Sequence, residues 1–469
     1  MKHKKISLGA SSLPVLFLMG SLFYAVQIAK IDVHLPIFIS GMVAAIVAKV
    51  AGEVAWSELE EGVVETIKMS MSAILILLII GMVIGTWILS GVVPTMIYYG
   101  LKLINPSAFL PLSLIVCSIV SLSLGSSWTT VSTIGVALIG IGEGFGIDRN
   151  IIAGAVISGS YFGDKMSPLS DTTNLAPAMA GATLFEHIRH MLYTTLPAFI
   201  ISLGIFTFMG FNGKAVTSNQ ETIDKILNVM SSNFIISPWL LMIPVLLIVV
   251  IIMKTPAIPG LFIGAAIGGV AAILVQGKSF SEVLGALHYG YEGNSGFEMV
   301  DKLLNRGGMN SMMWTVSLIM CAMVFGGIME KSGMLEVLAN SVLKYATTTG
   351  KLILTTVLTP IFINVVAGDQ YLSIVIPGRM FKKEYEKRGL APKNLSRCLE
   401  DSGTMTSSLI PWNTCGATMI GALGLQPWAY VPYCFLNLLC PLISILYGFL
   451  GFSIEKIKPE KVEIDEEIK

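Results

Sequence analysis

The feature that most constrains the fold is a set of long segments without any charged residue. From Ser402 to Ile454 the chain has 53 residues with no Asp, Glu, Lys or Arg, which is enough for two membrane crossings. Leu103–Gly142 is a second such run, about twice the length of one span. Because a soluble protein of this size cannot bury so much apolar surface, these runs predict an all-α polytopic membrane protein.

Composition agrees with this class and excludes several functions. Hydrophobic residues make up 54% and charged residues 13% of the chain, with a mean hydropathy of +0.76, whereas soluble domains carry roughly 25% charged residues. The net charge is zero, so charge indicates no nucleic-acid partner. The six cysteines lack C-x-x-C spacing and the five histidines form no metal-ligand pattern, so no cofactor is expected. Without a G-x-x-x-x-G-K-[ST] motif, ATP is not the expected energy source.

The other apolar runs predict single spans. They cover Leu13–Ala29, Val33–Ala48, Met69–Leu101, Met191–Gly213, Asn233–Met253, Thr255–Gly277 and Gly307–Met329. The first follows "MKHKK" without a convincing cleavage site, so we expect an uncleaved helix. "LGSSWTT" at the centre of Leu103–Gly142 predicts a re-entrant hairpin. The amphipathic stretch Val54–Lys68 predicts an interfacial helix.

Four pairs of segments recur in the same order along the chain. They begin at Pro36 and Pro259, Ser90 and Ser332, Gly125 and Gly368, and Gly163 and Gly403, with offsets of 223, 242, 243 and 240 residues. We therefore predict two repeats, residues 1–211 and 233–454, joined by a linker at 212–232 and followed by a tail at 455–469. Each repeat is expected to hold about five transmembrane helices plus a re-entrant hairpin.

Basic residues set the expected orientation. Arg379–Arg397 carries seven Lys or Arg against two Glu, and the N-terminus carries three lysines, which predicts a cytoplasmic location for both. The matching loop of the first repeat, Ile139–Asn150, lacks this basic signal. Five crossings per repeat then invert the second repeat relative to the first and place both termini in the cytoplasm. Inverted repeats with interrupted helices are typical of secondary transporters in the cell membrane.

The interruptions carry ionisable residues at membrane depth. The segment "GSYFGDKMSPLSDTTNLAP" (159–177) holds Asp164, Lys165 and Asp171, and the second repeat holds Asp369, Glu400 and Asp401. Carboxylates there are costly, and their presence favours a functional role. Asp171 has no adjacent basic residue and is the first candidate, followed by Asp164, Asp369 and Asp401. We expect Glu400 to be interfacial, and Lys165 either to pair with Asp164 or to face solvent.

Hydroxyl and amide side chains crowd around these carboxylates. The candidate binding residues are Ser126, Ser127, Thr129, Ser167, Thr172, Thr173, Asn174, Thr404, Ser407, Asn413 and Thr414. Such oxygens suit hard cations, and Pro168 and Pro411 free backbone carbonyls by breaking the helices. The hypothetical Na⁺ ligands are Asp171, Thr173 and Asn174. Competition of Na⁺ and H⁺ for one carboxylate is by itself an exchange mechanism.

Three long segments resemble the NhaC family of Na⁺/H⁺ antiporters. They are "GSSWTTVSTIG", "GSYFGDKMSPLSDTTNLAPA" and "EDSGTMTSSLIPWNTCGA", and the resemblance extends from Leu13 to about Phe452. It implies a pH- and sodium-homeostasis role, transported Na⁺ and H⁺, inverted repeats with hairpins, and often a homodimer.

Three functions therefore stand side by side. The first is Na⁺/H⁺ exchange at Asp171 and Asp164. The second is Na⁺/H⁺-coupled exchange of organic acids such as malate and lactate, in which helix N-termini hold the carboxylate. The third is an intramembrane aspartyl hydrolase using Asp164 and Asp369, a scheme that gives the duplicated polar clusters no role. We expect a transporter rather than an enzyme.

Overall fold

The computed structural model describes residues 4–212, 220–253 and 255–457. In these ranges the regular secondary structure is helical, and the β-structure is limited to one isolated antiparallel bridge between Leu390 and Lys456. Up to residue 211 the helices are α1 (Leu8–Ala29), α2 (His34–Gly52), α3 (Trp56–Leu89), α4 (Val92–Leu103), α5 (Pro106–Leu124), α6 (Ser127–Thr130), α7 (Val136–Gly144), α8 (Arg149–Met166), α9 (Asp171–Ala180) and α10 (Leu184–Phe211). A π-helical turn at Val131–Gly135 joins α6 to α7.

The second half continues the numbering. Its helices are α11 (Gln220–Asn233), α12 (Met242–Ile252), α13 (Ala257–Leu274), α14 (Phe280–Tyr289), α15 (Glu298–Leu304), α16 (Met313–Lys331), α17 (Met334–Leu343), α18 (Thr349–Ala367), α19 (Gln370–Lys387), α20 (Pro392–Leu399), α21 (Met405–Ser407), α22 (Thr414–Leu423) and α23 (Phe435–Leu450). A π-helical turn, Glu400–Thr404, joins α20 to α21. The predicted linker (212–232) and tail (455–469) lie partly outside the described residues.

The predicted membrane class is confirmed. Within the described residues, eight helices are long and apolar enough to cross a bilayer, or nine if a pair bent by 93°, Gln220–Asn233 with Pro238–Ile251, counts as one span. Many of their outward-facing side chains are apolar, such as Leu16 (70% exposed) and Val50 (77% exposed). Apolar side chains on the outer surface suit a lipid environment, where they need no partner. The chain is therefore a multi-pass membrane protein.

Two expectations about the spans need correction. The stretch Val54–Lys68 is not a separate interfacial helix, because α3 runs unbroken from Trp56 to Leu89. At 34 residues it is about 50 Å long, which exceeds the hydrocarbon core, so its polar first turns extend beyond the apolar part. The single span expected at Met69–Leu101 ends at Leu89, where a corner at Ser90–Gly91 starts α4.

Closely matched corners occur in the two halves. Ser90 (φ −75°, ψ −6°) and Gly91 (φ 79°, ψ 3°) join α3 to α4. Ser332 (φ −74°, ψ −8°) and Gly333 (φ 73°, ψ 2°) join α16 to α17 in the same way. In both corners glycine adopts the left-handed conformation that ends a helix. The two corners are the serine–glycine pair found in the sequence at an offset of 242.

The "GSYFG" stretch of α8 packs tightly on α5. A Cβ atom added at Gly159 would lie 2.3 Å from the Leu114 carbonyl oxygen, and one at Gly163 would lie 2.3 Å from the Leu122 backbone nitrogen. Small residues four apart let membrane helices approach closely. The Ser121 hydroxyl donates to the Ser160 carbonyl at 2.5 Å across the same contact. The glycines therefore hold the end of α8, with Asp164, beside the end of α5.

Candidate ion-binding site

Two helices are broken inside the protein at the segments singled out by sequence. Helix α8 ends at Met166 and α9 begins at Asp171. In the second half, α21 ends at Ser407 and α22 begins at Thr414. Each break contains one proline, Pro168 or Pro411, which cannot donate a backbone hydrogen bond. The breaks expose carbonyl oxygens and helix ends in the interior of the molecule.

Two further helix breaks face this region. Helix α5 is followed by the left-handed C-cap residue Gly125 (φ 67°), and α18 by Gly368 (φ 66°). The next residue in each case caps the following helix. The Ser126 hydroxyl accepts from the Thr129 nitrogen at 3.2 Å, and the Asp369 carboxylate accepts from the Leu372 nitrogen at 3.0 Å. Asp369 is thus buried as an N-cap, a favourable place for a negative charge.

Asp164 is the best enclosed of the predicted carboxylates at the break in α8. Its Oδ2 accepts from the Ser127 backbone nitrogen at 3.1 Å and from the Ser127 hydroxyl at 2.6 Å. Its Oδ1 is buried and has no hydrogen-bond donor among the described residues. A buried carboxylate oxygen without a donor is costly. Asp164 therefore presents one fixed oxygen and one oxygen that is free to bind a proton or a cation.

Glu400 is a candidate site residue whose position differs from the sequence prediction. It is not interfacial but fully buried, because α20 carries it through the π-helical turn into the interior. Its Oε1 accepts from the Thr172 hydroxyl at 3.1 Å, and its Oε2 has no donor in the described part of the chain. Asp164 and Glu400 are close enough to interact electrostatically. The two halves of the chain thus each contribute one carboxylate with a free oxygen.

The position of Lys165 differs from both alternatives expected from the sequence. Its ammonium group neither pairs with Asp164 nor faces solvent; it is buried and forms an ion pair with Asp401 of the other half. The Thr194 hydroxyl donates to the same Asp401 oxygen at 2.9 Å, and the Arg397 Nε lies 3.9 Å from Asp401 Oδ2. Asp401 is therefore already compensated by basic groups, unlike Asp164.

Asp171, the first candidate from sequence, occupies a different environment. It is exposed at the first position of α9, where it accepts hydrogen bonds from the Thr172 nitrogen at 2.9 Å and from the Tyr371 hydroxyl of the second half. Asn174 is also exposed, and its amide donates to the carbonyls of Pro168 (3.0 Å) and Ser170 (2.6 Å). Asp171 and Asn174 lie at the accessible edge of the break.

The remaining predicted residues from the first half organise the break. Thr173 is buried, and its hydroxyl donates to the carbonyls of Asp164 (3.2 Å) and Lys165 (3.0 Å), which ties α9 to the end of α8. Ser167 is buried, and its hydroxyl accepts from the Leu169 nitrogen at 3.3 Å. Thr129 is buried and donates to the Ser126 hydroxyl at 3.1 Å.

The predicted residues from the second half line the other break. The Ser407 hydroxyl donates to the Thr404 carbonyl at 2.6 Å, and the Asn413 amide donates to Asn364 Oδ1 at 3.0 Å. The Thr414 nitrogen donates to the Gly368 carbonyl at 2.9 Å. The Thr404 hydroxyl is buried and has no hydrogen-bond partner within the described ranges. It is a further oxygen available to a ligand, one helical turn from Glu400.

Charge in this cluster is unbalanced. Four carboxylates, Asp164, Asp369, Glu400 and Asp401, share the interior with two buried basic side chains, Lys165 and Arg397. The first turn of α19 stabilises the charge of Asp369, so the other three carboxylates exceed the two basic side chains by one charge. An uncompensated buried charge is strongly unfavourable, so one proton or one monovalent cation would balance the group. We find no group of three or more His, Cys, Asp or Glu side chains positioned to hold a metal ion in the described ranges. Hydroxyls and carbonyls would have to supply the other ligands of a cation.

Sequence reasoning placed Glu400 at the interface and missed Thr194, Tyr371 and the partner of Lys165. Their contacts join residues 200 or more positions apart, and no local pattern indicates such pairings. The one usable signal was the Glu400–Asp401 pair directly before the Ser/Thr-rich break.

Broken helices that meet inside a bundle of apolar helices, around unbalanced carboxylates, define a membrane transporter of the ion-coupled class. Residues 159–452 match the Na⁺/H⁺ antiporter family, and the chain belongs to that family. The resemblance found in the sequence is thereby confirmed.

Similar proteins extend over nearly the whole chain. The Na⁺/H⁺ antiporter NhaC of Alkalihalophilus pseudofirmus is 40% identical over 455 residues, covering 97% of this chain and 98% of that protein. NhaC of Bacillus subtilis is also 40% identical, covering 93% and 96%. The malate-2H⁺/Na⁺-lactate antiporter of Bacillus subtilis is 36% identical and covers 93% of both chains. The proteins named for plain Na⁺/H⁺ exchange are thus somewhat more similar than the one named for organic acids.

Proposed function

We propose that this protein exchanges Na⁺ for H⁺ across the cell membrane. Family membership and the NhaC relatives support this function. The observation that carries it is the free oxygen of Asp164 in a buried cluster with one excess negative charge. A group that needs one positive charge to be stable, and that water reaches poorly, binds either a proton or a small cation.

Asp164 and Glu400 are the proposed shared carboxylates. With Na⁺ bound between oxygens of the two broken helices, both carboxylates remain ionised. When Na⁺ leaves, a proton restores the charge balance, because an unpaired buried carboxylate is disfavoured. The hydroxyl groups of Ser127, Thr172 and Thr404 are polar neighbours of these two carboxylates. Exchange follows from this competition without covalent chemistry.

The other candidate carboxylates take separate roles in the proposal. Asp171, exposed at the edge of the break, attracts the cation first, with Asn174 beside it. Thr173 holds the backbone of the break in shape. Asp401 keeps Lys165 in place, and Asp369 caps α19. Asp164 and Asp369 serve different helix starts, an arrangement that gives no support to an aspartyl hydrolase.

Alternating access requires the two halves to move relative to each other. We infer inverted repeats at residues 1–211 and 233–454, with both termini cytoplasmic and with re-entrant hairpins at Gly125 and Gly368. The matched corners at Ser90–Gly91 and Ser332–Gly333 support the repeat. Cross-half contacts, such as Lys165 with Asp401, are the ones that a rocking motion would change. A homodimer remains an expectation from the family.

Everted membrane vesicles with a pH-sensitive dye test the exchange. We expect NaCl alone to evoke a pH change, and D164N and E400Q to abolish it. D148N is the matched control: Asp148 caps the other end of α8, where its side chain accepts from the Asn150 nitrogen at 2.8 Å, and asparagine caps equally well.

The same vesicles also test the alternative function, Na⁺/H⁺-coupled exchange of organic acids. This alternative is suggested by the similarity to the malate-2H⁺/Na⁺-lactate antiporter. A response that appears only when malate or lactate is added would replace our proposal with that function. Full exchange activity in D164N would show that Asp164 does not bind the exchanged ions.

A further inference from the structure

Arg306 has a guanidinium group that the protein itself does not satisfy. It lies between α15 and the span that begins at Met309. Its Nη2 donates to the Val136 carbonyl at 3.2 Å, where α7 begins in the other half. Its Nε and Nη1 are buried and have no hydrogen-bond partner among the described residues. Buried donors, above all charged ones, rarely lack an acceptor.

The position of Arg306 is set by the two glycines that follow it. Gly307 (φ 91°) and Gly308 (φ 79°) both adopt left-handed conformations, and the Gly308 nitrogen donates to the Gly81 carbonyl of α3 at 2.6 Å. A Cβ atom at Gly81 would lie 2.3 Å from the Gly308 carbonyl oxygen. The backbone is therefore held against α3, and Arg306 cannot withdraw to solvent without loss of this packing.

A cavity of about 470 Å³ lies beside Arg306. It is at the end of α22 that is remote from Asn413, so it is separate from the carboxylate cluster. Polar and aromatic lining comes from Asp32, Ser311, Trp314, Thr315 and Gln426. The remaining lining, from residues such as Ile84 and Leu425, is mostly apolar. A concave, mainly apolar site with a few convergent polar groups is the usual form of a small-molecule pocket.

The charge of Arg306 is available to a ligand. Burial lowers the pKa of Arg306 to about 10, with a further lowering by Arg149 and an opposing effect of Glu143, so the group is protonated at neutral pH. Arg149, by contrast, is already paired, since its Nε and Nη2 donate to the Glu143 carboxylate at 2.6 and 2.9 Å. Of these two neighbouring arginines, Arg306 is the one with free donors.

We propose that this cavity binds a small solute through its carboxylate group, with Arg306 as the anchor. Guanidinium and carboxylate form strong charge-assisted hydrogen bonds, which would satisfy the free Nε and Nη1. The volume is far larger than a halide ion needs and suits an organic molecule. Asp32 on the cavity lining accepts from the Trp314 indole nitrogen at 3.3 Å and is exposed. Its negative charge favours a solute whose other end is neutral or positive.

Isothermal titration of the full chain in detergent tests this site. The probes are choline acetate, glycine and choline chloride, each at constant ionic strength and without Na⁺. We expect saturable binding of acetate or glycine, at least tenfold weaker in R306Q and partly retained in R306K. R388Q is the matched control, because Arg388 pairs with Glu384 far along the chain. D32N should strengthen acetate binding and weaken glycine binding if the zwitterion is the preferred form.

The fluorescence of Trp314, which lines the cavity, tests where the ligand binds. Binding should change the indole fluorescence, and W314F should remove that change while the titration heat persists. Na⁺-evoked pH changes in vesicles show that R306Q is folded, and they keep the site separate from the exchange proposal. Binding of chloride but of neither carboxylate, no saturable binding at all, or equal binding by R306Q would each overturn the assignment.

Discussion

At the scale of single residues, the chemistry depends on which carboxylate oxygens are already occupied. Asp401 is compensated by Lys165, and Asp369 by the first turn of α19. Asp164 and Glu400 each retain a buried oxygen with no donor in the described part of the molecule. Burial alone would not have distinguished these four acids, since all are buried. Asp401 Oδ2 also lacks a donor there, but Lys165 and Arg397 compensate the charge of Asp401. The neighbouring basic groups therefore make the distinction.

Removal of the Ser127 hydroxyl is expected to favour the proton over Na⁺. In S127A, Asp164 loses the donor at 2.6 Å, and a hydrogen bond to a charged group is worth about 1.5–3 kcal/mol. The ionised carboxylate becomes less stable, so the proton is held more tightly. At a fixed pH, the apparent KM for Na⁺ should rise by about tenfold or more, and the activity profile should move to higher pH.

Vesicle assays across a pH series measure both effects of S127A. S123A is the control, because Ser123 is exposed near the end of α5 and donates to the Ile119 carbonyl, away from Asp164. An unchanged pH profile in S127A would show that Asp164 does not carry the exchanged proton.

The ion pair of Lys165 with Asp401 predicts a specific pattern of stability. K165M leaves Asp401 buried beside Arg397, whose Nε is 3.9 Å away, and breaking a buried pair from one side costs about 3–5 kcal/mol. The double variant K165M/D401N removes both charges, so its thermal unfolding midpoint in detergent should lie closer to the wild type than that of K165M. A midpoint for K165M equal to the wild type would mean that Lys165 is not held by Asp401.

At the scale of elements, the helix breaks act together rather than singly. A Cβ atom at Gly125 would lie 2.7 Å from Leu169 Cβ and 2.9 Å from the Ser170 nitrogen. The break after α5 therefore touches the break after α8. This contact sets Ser127, at the start of α6, opposite Asp164 at the end of α8. A structural change in the break after α5 is therefore expected to displace the Asp164 carboxylate through the break after α8.

G125A is therefore expected to reduce exchange severely. A left-handed alanine costs roughly 1–2 kcal/mol by itself, and the clash with Leu169 adds displacement of Ser127. G389A is a matched control, since Gly389 has φ 63° but nothing within 4 Å of an added Cβ. Vesicle exchange should be lost in G125A and largely kept in G389A. Equal loss in both would point to backbone strain rather than to the contact of the two breaks.

At the scale of the whole molecule, the site is made by the contact of the two halves. Asp164 and Thr172 come from the first half, and Glu400 and Asp401 from the second. The ion pair of Lys165 with Asp401 and the hydrogen bond of Thr172 to Glu400 both cross between the halves, so neither contact exists in one half alone. A relative movement of the halves would expose the cluster and change its partners at the same time.

Inverted topology predicts that Asp148 and Glu386 lie on opposite sides of the membrane. D148C and E386C should label with a membrane-impermeant maleimide from opposite faces of oriented vesicles. Background should be low, because five of the six native cysteines are buried and Cys321 is half-buried. Labelling of both variants from the same face would refute the inverted arrangement.

Much of this protein could be predicted from its sequence. The uncharged runs are long enough to cross a bilayer, and they predict apolar helices because a helix forms all its backbone hydrogen bonds within one segment in lipid. Proline and glycine marked the breaks at Ser167–Ser170 and Gly125, and aspartate beside hydroxyl residues marked a candidate cation site. The family resemblance rested on the same segments. All of these are local properties, which short stretches of chain specify.

Only the tertiary structure decided which charges meet. It placed Glu400 inside, paired Lys165 with Asp401, and left Asp171 exposed beside Tyr371. It also left Arg306 with free donors beside a cavity. These outcomes depend on contacts between residues 170 or more positions apart. The packing of such distant segments decides whether a buried charge has a partner. Sequence spacing therefore identified the ionisable groups, and the approach of the two halves assigned their partners.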